Sequence, residues 1–175
     1  MKKILLTWYG ITDLRASFEI EYSNGPVFSA LMAENYADVL ILGFTNKEKN
    51  NTNEEDFKKE LLESQIAFKE NRQFDIWSFI NKYSNTDLAH NHFISWIKQK
   101  LEKEEIKTGL NFHSVELSHL NDTEGIYNIA VQALDIVEKW KVEKEVFLYL
   151  SPGTPVMAFV WAFAALRYPN LNKKL

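Results

Sequence analysis

The sequence contains no cysteine in its 175 residues. This absence excludes a disulfide framework and a thiolate metal site, and it is typical of a reducing compartment. The run from Ile4 to Tyr9 is too short to be the core of a signal peptide. The longest apolar run, Val156 to Leu166, falls well short of the ~20 residues that a membrane helix needs. These absences predict a cytoplasmic protein that has no membrane partner.

An excess of basic residues is also missing. The formal net charge is -4, which argues against the broad basic surface that binds duplex DNA but leaves room for a local anion pocket. Hydrophobic residues make up 46% of the chain and charged residues 25%. At this length, that composition predicts one domain with one well-buried core, spanning residues 1–175.

Strand-like runs alternate with helical periodicity along the chain. This alternation predicts a Rossmann-like α/β fold, with a doubly wound, mainly parallel sheet between flanking helices in three α/β/α layers. Strands are predicted at 3–9, 37–45, 112–118 and 145–151. Helices are predicted at 25–36, 54–70, 87–107, 121–140 and from 155 onward. The helix at 121 is expected to begin with a capping box of Asn121 and Glu124.

A doubly wound sheet would ordinarily gain another strand after the last helix. The sequence instead closes on ALRYPNLNKKL. We therefore expect this domain to be the N-terminal part of a longer protein.

Two turns are predicted at the edge of the sheet where ligands of this fold bind, beyond the carboxyl ends of the strands. In the second turn, SPGTP, Gly153 allows close approach of the backbone, Thr154 is a natural N-cap, and Pro155 suits the first helical position. The N–H groups at that helix start could receive a phosphate or carboxylate. Such a turn is also common without any ligand, and the polar first turn, WYGITDLRAS, shifts the balance towards binding.

The predicted ligand-binding residues come from these two turns. Tyr9, at the end of its strand, is a candidate for stacking on a base. Asp13 and Arg15 could serve as an acid and anion-binding pair or form a local salt bridge. The full set is Tyr9, Gly10, Thr12, Asp13, Arg15, Ser151, Pro152, Gly153, Thr154 and Pro155.

Metal binding is not predicted. His90 and His92 lie two positions apart on a predicted helix, which directs them to different faces, so a surface or packing role is favoured. His113 and His119 have no partner that the sequence can place near them. The sequence thus predicts no metal ion, no cofactor and no catalytic residue.

The last helix is apolar on every side. Packing against one face of a sheet would leave part of that surface in water. Either a further part of the chain or a second copy of it must cover the helix. A two-fold dimer would bring two SPGTP turns near each other.

The segment 147–169, FLYLSPGTPVMAFVWAFAALRYP, resembles part of the CRISPR-associated Rossmann fold (CARF) sensor domains. It is similar above all to those fused to bacterial RNA-repair transcription activators, in which a turn ending in Gly-Thr precedes an apolar helix with an Ala-Arg-Tyr-like close. HLNDTEGIYNIA at 119–130 is similar to their Asp-Thr pair before a helix, and LTWYGITD at 6–13 to their first strand and turn in outline. The resemblance covers mainly the C-terminal third of the chain.

This resemblance implies a homodimeric sensor of a cyclic oligonucleotide, or of an RNA end with a cyclic phosphate, that switches an effector domain in the same longer chain. Many CARF domains carry a lysine directly after Gly-Thr, where this chain has Pro155. Loss of that cation favours binding over hydrolysis and counts against a cyclic oligoadenylate ligand. The matching positions are Gly10, Thr12, Asp13, Ser151, Gly153 and Thr154.

Three functions remain open. The first is a regulatory sensor of a nucleotide ligand. The second is an enzyme, either a phosphodiesterase that degrades cyclic oligonucleotides or a dinucleotide-using enzyme, although the chain lacks a Gly-x-Gly-x-x-Gly fingerprint after its first strand. The third is a dimerisation module without a small ligand, which leaves the polar first turn unexplained. We expect the sensor.

Overall fold

The computed structural model describes residues 1–49 and 51–175. Its centre is a sheet of five strands, all paired in parallel, in the order β3-β2-β1-β4-β5. The chain moves outward in one direction from β1 to β3 and in the other from β4 to β5, so the strand order reverses between β1 and β4. The strands are β1 (Lys2–Trp8), β2 (Asp38–Thr45), β3 (Gly109–Glu116), β4 (Lys144–Tyr149) and β5 (Lys173–Lys174).

Helices cover both faces of this sheet. The α-helices of the described residues are α1 (Ile11–Ser17), α2 (Pro26–Ala33), α3 (Glu54–Lys69), α4 (Ile76–Tyr83), α5 (Asp87–Lys103), α6 (Thr123–Glu138) and α7 (Pro155–Ala165). The first five pack on one face, and α6 and α7 pack on the other. The predicted three-layer, Rossmann-like α/β fold is therefore confirmed.

The central strands are apolar because both of their faces are buried. In β1, Ile4 and Leu6 belong to the core under α6 and α7, whereas Leu5 belongs to the core under α1–α5. Successive side chains of a strand point to opposite faces, so a strand covered on both sides needs a continuous apolar run. This requirement explains why β1 and β2 were readable from the sequence.

Several boundaries differ from the sequence predictions. The cap of α6 is Asp122, which accepts from the Gly125 N–H, and not Asn121. The helix predicted at 87–107 ends at Lys103, and Glu105 beyond it has a left-handed φ of 56°. Strand β3 begins at Gly109, ahead of the predicted residue 112, because it is an edge strand with a mostly exposed and therefore less apolar pattern.

Some elements were not predicted. Helix α1 occupies the segment interpreted as a turn after β1, and α4 lies in a stretch to which no element was assigned. The fifth strand has only two residues, both lysines, which pair with Val146 and Phe147 of β4. Within the described part of the chain, no helix combines the length and apolarity needed to cross a membrane.

A candidate ligand site between two glycine bends

The two predicted turns meet at the carboxyl edge of the sheet, where the strand order reverses. Thr7 of β1 lies opposite Tyr149 of β4, so the segments that follow these strands leave the sheet side by side. A Cβ atom placed on Gly10 would lie only 3.2 Å from the backbone nitrogen of Gly153. The predicted juxtaposition of the two bends is therefore present, and a side chain at residue 10 would crowd the Gly153 backbone.

Gly153 is required for a different reason. Its φ of +92° lies in the left-handed region that side-chain-bearing residues rarely adopt. A Cβ atom there would also lie 2.9 Å from Sδ of Met157. The bend before α7 thus combines an unusual backbone conformation with close packing.

A cavity of about 350 Å³ opens between the bends. Two predicted binding residues, Arg15 and Pro155, do not line it. For the others the structure supplies proximity, and their role in binding remains a prediction. The predicted residues that do line the cavity are Tyr9, Gly10, Thr12, Asp13, Ser151, Pro152, Gly153 and Thr154.

The sequence did not indicate the rest of the cavity wall. Phe44 comes from the end of β2, a position that the fold rule for ligand sites could have suggested. Ser84 and Asn85 connect α4 to α5 and could not be placed, because α4 itself was not predicted. The lining residues that were missed are Trp8, Ile11, Leu14, Pro26, Phe44, Ser84, Asn85, Leu120 and Met157.

Helix α7 starts at the cavity as predicted. Pro155 is its first residue, and the Thr154 side chain accepts a hydrogen bond from the Met157 N–H at 3.2 Å. This cap satisfies one of the amide groups that an α-helix leaves without an internal partner at its first turn. Because the N-cap Thr154 lines the cavity, the positive end of the helix dipole lies beside it.

Asp13 joins the starts of two helices. Its Oδ2 accepts from the Gly10 N–H at 3.0 Å, before α1, and its Oδ1 accepts from the Val27 N–H at 2.8 Å, in α2. The residue is only 1% exposed. Burial raises the pKa of the Asp13 carboxyl to about 6, against the lowering effect of these backbone hydrogen bonds. The Gly10 N–H is thus already partnered by a carboxylate.

Arg15 turns away from the cavity. Its Nε lies 3.1 Å from a carboxylate oxygen of Glu21, and its guanidinium lies over the ring of Trp77 at 5.7 Å from the centroid. Arg15 therefore forms a local salt bridge, but its partner is Glu21 and not Asp13. Among the described residues, no lysine or arginine lines the cavity. Backbone N–H groups, hydroxyl groups and the Asn85 amide remain as its donors to an anion.

Tyr9 forms part of the cavity wall, and its ring is held from two sides. It stacks on Phe93 with the centroids 4.2 Å apart, and its phenolic oxygen is hydrogen-bonded to Nδ1 of His90. Burial raises the pKa of the Tyr9 hydroxyl, so it stays protonated at neutral pH. Because Phe93 covers one ring face, a ligand base could reach only the remaining surface of Tyr9.

His90 and His92 both point into the protein from α5. His92 Nε2 is 2.8 Å from the Ser17 carbonyl oxygen, and burial lowers the pKa of His92. His90 is 3% exposed and bonds Tyr9 and Thr45. Of the predicted surface or packing role, the structure shows packing for both histidines. Across the described residues, no three His, Cys, Asp or Glu side chains are grouped as metal ligands.

Comparison with known proteins gives a similarity in fold. No family model and no curated protein matches the sequence. The structure matches Enterococcus italicus Csm6 bound to cyclic hexa-2'-fluoro-hexa-dAMP, with a TM-score of 0.61 and 16% sequence identity. The match covers 99% of this chain and 32% of the Csm6 chain. At this identity the similarity concerns the fold, and the chain is therefore similar in fold to about one third of Csm6.

Proposed function

We propose that this chain is a nucleotide-sensing domain that binds a cyclic oligonucleotide, or an RNA end with a cyclic phosphate, in the cavity between the two glycine bends. The observation that carries this proposal is the contact of Gly10 with Gly153 at the point where the strand order reverses. This is the position at which parallel α/β sheets bind ligands. The bend before α7 brings the backbone N–H groups of Gly153 and Thr154 to the cavity, and the positive dipole end of α7 lies beside it.

The ligand class is supported by the fold similarity. The similar Csm6 structure contains a cyclic hexanucleotide analogue of dAMP. In the sequence, Pro155 in place of a lysine argued against a cyclic oligoadenylate as the ligand. The fold similarity is a reason to include this ligand in the test. A cavity of about 350 Å³ is at the lower end for small-molecule sites. One protomer would therefore hold part of a cyclic oligonucleotide and not its whole ring.

A homodimer is the second part of the proposal. Three large apolar side chains of α7 and its C-terminal end are exposed: Phe159 at 71%, Phe163 at 56% and Leu166 at 72%. The first turn of the same helix lines the cavity, so a second copy packed on this stripe would bring two cavities close together and could accommodate a larger cyclic ligand. Burial of apolar side chains on this scale stabilises an association.

Binding is favoured over cleavage by the chemistry of the cavity. Asp13 is the carboxylate in its lining, and both of its oxygens are occupied by backbone N–H groups. The described lining residues supply no nucleophile and base in hydrogen-bond contact. We further propose that the domain passes its ligand state to an effector domain in the same polypeptide.

A thermal-shift panel tests the proposal. The panel contains cyclic oligoadenylates, other cyclic oligonucleotides and RNAs ending in a 2′,3′-cyclic phosphate. A ligand at 100 times its dissociation constant adds about 2.7 kcal/mol to the free energy of unfolding, which gives a shift of several degrees. Titration calorimetry then measures the affinity for each positive ligand.

Two matched cap variants locate the site. Thr154→Ala removes the cap of α7 at the cavity, and Asn53→Ala removes the cap of α3 outside the cavity lining. Each should cost about 1 kcal/mol of stability, but only Thr154→Ala should weaken ligand binding. Lack of response to every ligand would refute the sensor, and in a stable dimer would favour a dimerisation module. Ligand turnover, followed by chromatography, would favour a phosphodiesterase.

A further inference from the structure

A chain of polar groups begins at Tyr9 in the cavity wall and runs through the protein to the edge strand β3. The Tyr9 hydroxyl is bonded to Nδ1 of His90, and Nε2 of His90 lies 2.8 Å from Oγ1 of Thr45. Oγ1 of Thr45 is in turn hydrogen-bonded to Oγ of Ser114. Tyr9, His90 and Thr45 are buried, whereas Ser114 is exposed. Of these four residues, Tyr9 lines the ligand cavity and the other three do not.

The direction of proton donation along this chain follows from its members. Burial lowers the pKa of His90 to about 4, so its imidazole is neutral at neutral pH and carries one N–H. If the Tyr9 hydroxyl donates to Nδ1, then Nε2–H donates to Thr45, whose hydroxyl donates to Ser114. The reverse direction would leave the buried Tyr9 proton without the acceptor that Nδ1 provides, which is costly. The first direction therefore assigns the tautomer with its proton on Nε2.

Steric constraints hold the same side chains. A Cβ atom on Gly43 of β2 would lie 2.6 Å from Phe112, 2.8 Å from Tyr9 and 2.9 Å from His90. The three rings thus converge over a position that only a glycine can occupy. Phe93 closes the other side of the Tyr9 ring. Within the described part of the chain, His90 is consequently the polar contact that fixes where the hydroxyl end of Tyr9 lies.

We propose that His90 is a positioning residue for the ligand cavity: through Nδ1 it fixes the Tyr9 ring, and through Tyr9 it fixes the adjoining Gly10 bend against Gly153. Gly10 follows Tyr9 directly in the chain, and the Tyr9 N–H is held by the Leu42 carbonyl at 3.1 Å. Loss of the acceptor at Nδ1 leaves the buried Tyr9 hydroxyl without its partner while the ring stays packed on Phe93. The unpaired hydroxyl loosens the bend without removing any group from the cavity lining. The effect on affinity rests on the proposed function, whereas the effect on the bend does not.

Two substitutions at position 90 separate this role from general packing. In His90→Asn the amide oxygen can take the place of Nδ1, so Tyr9 keeps an acceptor. In His90→Gln the longer side chain places its amide near Nε2, so Thr45 keeps its partner and Tyr9 loses its own. Both variants replace the ring by an amide and lose its aromatic contacts. Tyr9→Phe removes the hydroxyl alone and supplies a test that does not depend on how position 90 tolerates substitution.

The primary measurement is amide hydrogen exchange at Tyr9 and Gly10, whose N–H groups are bonded to the Leu42 carbonyl and to Asp13 Oδ2, with the global stability of each variant measured in urea. We expect exchange there to accelerate about tenfold in His90→Gln and Tyr9→Phe, the scale of one lost buried hydrogen bond, and to change less than about twofold in His90→Asn after correction for global stability. Affinity for a cyclic oligonucleotide should follow the same order. Equal acceleration in both His90 variants, or none in Tyr9→Phe, would overturn the proposal.

The two proposals fail separately. If the unaltered protein binds no member of the nucleotide panel, the sensor function fails, and the exchange pattern still decides whether His90 positions the bend. If the protein binds a nucleotide but exchange is insensitive to the acceptor at Nδ1, the sensor stands and the positioning role is wrong. If His90→Gln does not fold, the comparison of Tyr9→Phe with the unaltered protein decides the positioning role.

Discussion

Asp13 should give the stability of this protein an unusual pH dependence. Its carboxyl is buried between the starts of α1 and α2, and its pKa rises from 3.8 to about 6 in the folded chain. At 1.36 kcal/mol per pKa unit, this difference corresponds to about 3 kcal/mol. The folded state holds the proton more tightly than the unfolded state does. The contribution of Asp13 is therefore fully present below pH 3.8 and is lost as the pH rises through about 6.

The experiment compares the unaltered protein with Asp13→Asn between pH 4 and pH 7.5. Urea unfolding is followed by the fluorescence of the five tryptophans. Subtracting the two free energies of unfolding at each pH cancels the other titrating groups. The amide in Asp13→Asn does not titrate in this pH range. Its NH₂ group faces one of the N–H donors, so the variant has a lower free energy of unfolding by an amount that does not change with pH. We expect the stability advantage of the unaltered protein over Asp13→Asn to shrink by up to about 3 kcal/mol as the pH rises.

Asp122→Asn is the matched control. Asp122 also caps a helix, but it is less buried than Asp13, and its pKa is lowered by hydrogen bonds from Gly125 and Ser118. Its contribution is present above the pKa of the unfolded chain and is lost as the pH falls, the opposite sign to Asp13. A difference curve for Asp13→Asn that is flat, or that rises with pH, would refute the assignment of a proton to the buried carboxyl.

Three further predictions concern the bends and the exposed helix face. Gly153→Ala should destabilise the protein by about 1–3 kcal/mol, because φ at this position is left-handed and Met157 fills the adjacent space; calorimetry measures the loss, and an unchanged Tm would contradict the bend geometry. Phe163→Glu should convert the proposed dimer to a folded monomer in light scattering, since that side chain is 56% exposed in one protomer. A dimer that survives this change would place the interface elsewhere. An anionic ligand beside Asp13 should bind more tightly as the pH falls through about 6. In Asp13→Asn, the affinity measured by titration calorimetry should not change over the same pH range. Equal pH dependence in the two proteins would mean that the ligand does not approach this carboxyl.

The sequence predicted the buried framework well because double burial imposes a continuous apolar pattern. Strands β1, β2 and β4 follow this rule. The cap of α7 at Thr154 was predictable for a local reason, because a hydroxyl, a proline and a glycine occupy their preferred positions there. Strands at the edges of the sheet are not buried on both faces and do not show this apolar pattern. The two lysines of β5 pair with β4 through the backbone, and Lys174 adds an ion pair with Glu145 at 2.9 Å. Contacts between charged side chains produce no apolar strand pattern in the sequence.

The candidate site was predictable in part for the same reason. The Gly10 and Gly153 bends follow adjacent strands, so strand order alone brings them together. The hydrogen-bond partner of Tyr9 was not predictable, because His90 lies 81 positions away on a helix between other strands. The role of Asp13 was also hidden: its bond to Val27 depends on how the starts of α1 and α2 meet. Contacts between distant segments need the packed structure to be seen.

Helix α7 touches the cavity at one end and exposes phenylalanines along its outer side. Its eleven residues make a rigid arm roughly 16 Å long. A tilt of about 5° at the Gly153 bend would carry the far end by roughly 1.4 Å, the size of shift that rearranges contacts between subunits. Helix α7 would then tilt about the close approach of Gly10 to Gly153. A side chain added at either glycine would change the orientation of the helix as well as the shape of the cavity.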